Sequence, residues 1–195
     1  MSIVRTKTER RFNPHVCLFL PAVQHHLRTA KEKKAGCYYD WFAVIVLSAL
    51  SLEAIGNSYG DVLIPDWKDF ESSSPKAKLR LIAHRCGIKP DFSKPPWATA
   101  SQLLKFRNLI AHAKRKHFKE ERDCDESNCR GGFGARFDSD IEKMITEKFA
   151  AQGSDAVENI IKALNKTLKE SELHELYSCG PEIHAEILKD MPAQI

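Results

Sequence analysis

Arg107, Asn108 and His112 stand in one short stretch, Arg107-Asn-Leu-Ile-Ala-His112, and their side chains are those that metal-free RNA cleavage uses. A guanidinium can clamp a phosphodiester through paired N–H donors, and an imidazole can take or give a proton near neutral pH. The adjacent amide can orient the imidazole or the substrate. Lys105, Arg107, Lys114, Arg115, Lys116 and Lys119 fall within fifteen residues, with His112 and His117 among them. Clustered positive charge of this kind is the electrostatic footprint of a nucleic-acid contact. A net charge of +4 is too modest to make that argument alone, so the local distribution carries it.

The spacing predicts a helix from about Trp97 to Phe118, with Leu103, Phe106, Leu109, Ile110 and Ala113 forming its apolar stripe. On a 3.6-residue period Asn108 and His112 lie one turn apart on one face, and Arg107 sits about 100° round from Asn108. All three border the stripe, a position that suits a cleft or an interface with a second subunit. The plainer alternative is a solvated polar face, with Arg107 in a salt bridge and His112 as a helix-terminal cation. Lys114-Arg-Lys-His117 likewise fits either a track for a nucleic-acid backbone or a cationic helix end favoured by the dipole.

Other elements must position this helix. A first helix is predicted from about Pro21 to Lys34, with Val23, Leu27 and Ala30 inward. The second, about Tyr38 to Asn57, is the most apolar segment and the natural centre of the core. Its Glu53 and Asn57 share a face, and a carboxylate in so apolar a helix needs a partner; Arg107 is the candidate, set against a simple helix-end placement. Residues 58–73 read as a loop. Ser74-Pro75 then supplies a cap and a first-turn proline for a third helix ending near Gly87, with Leu79, Ile82 and Ala83 inward.

Pro90, Pro95 and Pro96 mark a connector to the motif helix. Residues 119–138 break all periodicity and read as an irregular insertion. Helical spacing resumes over Ser139–Ala151 and Asp155–Lys169, followed by two short helices over Ser171–Tyr177 and Pro181–Lys189. No alternating strand pattern stands out. The fold class expected is all-α, a helical bundle: residues 1–20 form a basic N-terminal arm, and 21–195 a single domain with its core over 38–118 and further helices over 139–190.

Hydrophobic residues make up 43% of the 195, enough for one substantial core. The longest apolar run, Trp41–Leu47, is too short for a bilayer, and no apolar signal core follows Met1. Six scattered cysteines suit reduced thiols better than a disulfide framework, so a cytoplasmic protein without membrane contact is expected. Cys124 and Cys129, with His112 and His117, can be drawn as a zinc site, but the cysteine spacing is loose and the segment acidic. Arg130-Gly-Gly-Phe-Gly-Ala-Arg136 lacks the Lys-Ser/Thr of a phosphate-binding P-loop. No metal or cofactor is expected.

Three segments in order, Ser48-Ala-Leu-Ser-Leu-Glu-Ala-Ile-Gly-Asn57, Ser74-Pro-Lys-Ala-Lys-Leu-Arg-Leu-Ile-Ala83 and Leu103-Leu-Lys-Phe-Arg-Asn-Leu-Ile-Ala-His112, resemble the HEPN superfamily (higher eukaryotes and prokaryotes nucleotide-binding). The likeness covers roughly residues 38–118. It implies a helical bundle and a homodimer whose two motif helices face each other across a shared cleft. Active members are metal-independent endoribonucleases, found as toxins and in antiviral defence; others are non-catalytic binding or scaffold modules. The resemblance makes Arg107, Asn108 and His112 catalytic, with Glu53 supporting through its expected pairing with Arg107. Lys105, Lys114, Arg115, Lys116 and His117 become RNA contacts. RNA, a second copy and a protein antitoxin are the implied partners. Some members carry a modifiable Tyr two residues after the His; here that position is Lys114, which removes that route of control.

Overall fold

The computed structural model describes residues 3–33, 35–115, 117 and 139–188, and most of that length is helical. A π-helical turn, His15–Phe19, leads into α1 (Leu20–Glu32). α2 (Tyr38–Leu63) follows, then a 3-10 turn over Trp67–Phe70, α3 (Pro75–Arg85) and α4 (Trp97–Ala111). After the undescribed segment come α5 (Asp140–Met144), α6 (Glu147–Asn165) and α7 (Glu170–Tyr177).

α2 is the hub, with α1, α3, α4 and α6 packed around it. Ile45, Ala49, Leu52, Ile55 and Tyr59 recur every three or four residues and are wholly buried, so one continuous stripe meets several neighbours. Its glycines let partners approach: a Cβ on Gly60 would lie 2.3 Å from the Trp67 indole, so the ring packs directly against the helix backbone there. By length and composition α2 is also apolar enough to cross a membrane, and half of that apolar window is buried by the surrounding chain.

Helix starts follow their caps. Ser74 Oγ accepts from the Ala77 amide at 3.3 Å, and Leu79, Ile82 and Ala83 of α3 are buried as the periodicity predicts. The break between the last two long helical stretches differs from expectation: it falls at Ile145–Thr146, and α6 runs unbroken through Gly153. Thr146 caps α6 by accepting from the Phe149 amide at 3.1 Å. Gly153 is retained because α4 lies close; a Cβ there would sit 3.1 Å from Leu103 Cδ2.

Both chain ends correct the sequence reading. The expected basic arm contains a strand, β1 (Ile3–Arg10), and the expected helix over 181–189 is a second strand, β2 (Pro181–Leu188), paired with it antiparallel. The register puts Val4 opposite Ile187, Thr6 opposite Ala185 and Thr8 opposite Ile183. Over 181–188 the sequence alternates through Ile183, Ala185 and Ile187, a strand signal that the helical reading passed over, while the mostly polar segment 3–10 carries a weaker one.

Where the termini meet the bundle, His15 is fully buried, with ring centroids 5.7 Å from Tyr59 and 6.2 Å from Tyr177. Tyr59 donates to Asn165 Oδ1 at 2.6 Å, and Asn165 Nδ2 donates to the Tyr177 hydroxyl at 2.8 Å. Neither ring nitrogen of His15 has a hydrogen-bond partner among the described residues, and burial pulls its pKa down to about 4. Cys17, Cys37, Cys86 and Cys179 are free and half-buried; Cys124 and Cys129 lie outside the described residues.

Candidate functional site

α4 places Arg107 at its edge nearest α2. Arg107 Nη2 lies 3.0 Å from Glu53 Oε2 and 3.3 Å from Oε1, and its Nη1 donates to Asn108 Oδ1 at 3.1 Å. The partner expected for the carboxylate of the apolar helix is therefore the motif arginine. Both side chains remain about a third exposed, 33% for Arg107 and 28% for Glu53. The contact thus fixes direction more than it adds stability. Asn57, one turn on from Glu53, accepts from Lys78 Nζ at 2.8 Å. Lys78 itself is buried, with its ammonium 5.8 Å from the Trp67 ring centroid. A polar rail (Arg107, Glu53, Asn57, Lys78) thus joins α4, α2 and α3.

The ridge of α4 separates two open grooves. On one side Arg107 and Glu53 share a hollow of about 400 Å³ with Phe19, Leu50 and Asn57. On the other, Asn108 and His112 line a hollow of about 480 Å³ against the start of α3. Asn108 and His112 thus share a face as the helical period requires, while Arg107 faces the other way. Asn108 is the link, because it lines the His112 groove and accepts from Arg107.

α4 stops at Ala111, seven residues short of the Phe118 expected. His112 caps the helix end, its amide bonded to the Asn108 carbonyl at 3.1 Å, and its side chain is exposed. The charge run after it explains the stop. Lys114-Arg-Lys-His117 offers no apolar face to bury, and adjacent like charges oppose a further turn. Ala113, read as part of the stripe, is accordingly exposed. Lys114, Arg115 and His117 are exposed beyond the helix, Lys105 is exposed on it, and Lys116 and Lys119 lie outside the described residues. Among the described residues no group of three or more His, Cys, Asp or Glu is placed to hold a metal ion.

Sequence reasoning passed over Lys76 and Ser101, which line the His112 groove. A signal was available for Lys76. It sits in the first turn of α3, where the dipole disfavours a cation, and no acidic residue offsets it there.

The chain matches no family model, and no curated protein or solved structure matches it either.

Proposed function

We propose that this protein is a HEPN-like, metal-independent endoribonuclease that cleaves single-stranded RNA, acting as a homodimer. The supporting observation is the anchoring of Arg107 by Glu53 from the core helix, with Asn108 and His112 a turn apart at the open end of the same helix. His112 takes the proton of the ribose 2′-OH, whose oxygen attacks the adjacent phosphorus; the bond to the 5′-oxygen breaks, and that oxygen is protonated by the imidazole of the second copy. Arg107 holds the phosphate and offsets charge on its non-bridging oxygens in the transition state. Asn108 orients the guanidinium. The products are a 2′,3′-cyclic phosphate and a 5′-OH end.

The second copy is integral to this reading. Within one chain Arg107 and His112 line separate grooves, and the proposed dimer would bring the His112 of one copy to the Arg107 of the other. Incubating single-stranded RNA with wild type, Arg107→Ala and His112→Ala in excess chelator tests it. Each substitution should slow cleavage by about 10²–10⁴-fold. Equal cleavage by wild type and His112→Ala would end the proposal. A role as toxin or antiviral effector adds growth arrest on expression, relieved by Arg107→Ala.

One observation favours a second reading, a non-catalytic dimeric RNA-binding or scaffold protein. Arg107 is already engaged by Glu53 and Asn108, which leaves its charge partly offset. RNA binding without cleavage by the wild type would establish that alternative.

A further inference from the structure

Beside Asn108 and His112, the groove between α3 and α4 carries two lysines, Lys76 and Lys105, that the cleavage chemistry leaves unused. Among the described residues its polar lining is Ser74, Lys76, Ser101, Lys105, Asn108 and His112, with no carboxylate. Leu104 and Leu109 give it an apolar floor. Lys76 is half-buried and held in place: Nζ donates to Ser101 Oγ at 3.1 Å and lies 4.6 Å from the centroid of the Phe92 ring. Among the described residues no carboxylate lies within ion-pair distance of it. An ammonium has three donors, and a neutral hydroxyl uses one of Lys76's.

Ser101, Lys105, Asn108 and His112 fall at i, i+4, i+7 and i+11 on α4. They form a row about 16 Å long at 1.5 Å per residue. Lys76 faces the Ser101 end of that row and His112 closes the other. Two lysines spaced along an apolar floor, in a hollow of about 480 Å³, match one nucleic-acid strand with its phosphates on the lysines and its bases or sugars on the leucines. The position of Lys76 against the α3 dipole is a local conflict of the kind that marks functional sites.

We infer that the α3–α4 groove is a track for the backbone of single-stranded RNA, with Lys76 and Lys105 as phosphate contacts leading to His112. The inference takes RNA as ligand from the reading above and stands whether or not the protein cleaves it.

Fluorescence anisotropy with a fully 2′-O-methylated single-stranded oligoribonucleotide, which cannot be cleaved through its 2′ position, tests it over a range of salt. Lys76→Ala should weaken binding several-fold and flatten the slope of log K against log salt by about 0.7, the release expected for one phosphate contact on a single strand. Lys76→Arg should keep most of both, and Lys148→Ala, on exposed α6 surface, should change neither. Unchanged melting of each variant excludes a folding defect.

Wild-type affinity and slope in Lys76→Ala would overturn the inference, as would equal weakening by Lys148→Ala or no binding by the wild type. Equal binding of an acidic peptide, with the same loss in Lys76→Ala, would also overturn it. Cleavage assays separate the two proposals. Binding that depends on Lys76 without cleavage sinks the nuclease and supports the track, while His112-dependent cleavage with Lys76→Ala binding normally does the reverse.

Discussion

His15 makes the stability of this protein depend on pH in a window that can be worked out beforehand. Its ring is fully buried against Tyr59 and Tyr177, and its pKa falls from 6.5 to about 4. The folded chain therefore holds the neutral imidazole, while the unfolded chain takes up a proton as pH drops below 6.5. Stability is fully present above that value and is lost as pH falls towards 4. Between pH 7.5 and 5 the unfolded state gains nearly one proton and the folded state about a tenth of one, which integrates to about 2 kcal/mol. Against a total of about 5–15 kcal/mol for an ordinary domain, that loss is large.

Urea unfolding followed by circular dichroism at pH 7.5 and pH 5 measures it, with His15→Leu as the reference. Leucine cannot take up the proton and removes two unpaired buried nitrogens, so the variant should lose about 2 kcal/mol less on acidification. Every other titrating group is common to both proteins. Asp40 belongs to a lower window: hydrogen bonds from Lys33 and then His26 lower its pKa, so its stabilisation persists above 3.8 and fades below. Equal losses in wild type and variant, within about 0.5 kcal/mol, would refute the assignment to His15.

Two glycines should respond in opposite ways. Gly60→Ala drives a methyl to 2.3 Å from the Trp67 ring and should cost about 1–3 kcal/mol or more, read as a lower melting temperature. Gly153→Ala meets only the end of Leu103, at 3.1 Å, and the better helix propensity of alanine offsets the strain; a change within about 1 kcal/mol is expected. Glu53→Gln should alter stability by less than about 1 kcal/mol, since the pair it breaks is partly exposed. In the nuclease reading it should still slow cleavage by up to about 10²-fold through a misplaced Arg107. A double-mutant cycle with Arg107→Ala checks both, because the two losses should not add.

Much of the scaffold was legible because its signals are local. The apolar period of α2, the Ser74-Pro75 start of α3 and the stripe of Leu103 and Phe106 in α4 each depend on residues within a few turns, and the structure buries them accordingly. Local charge also announced the Glu53–Arg107 pair, since a carboxylate inside an apolar helix demands a cation. Helix ends were less legible. α4 ends at Ala111, just before the charge run Lys114-Arg-Lys-His117, whereas Gly153 stays helical with Leu103 against it, a neighbour distant in sequence.

The chain by itself therefore determined a helical protein built around α2, with Arg107, Asn108 and His112 gathered at the end of one helix. Only the tertiary structure decided that residues 3–10 pair with 181–188, because the pairing joins segments at opposite ends of the sequence and no local signal names a strand's partner. It also decided that Arg107 and His112 face different grooves. Helical spacing gives the angle between two side chains, but the packing of α2 on one flank of α4 and α3 on the other determines what each of them meets.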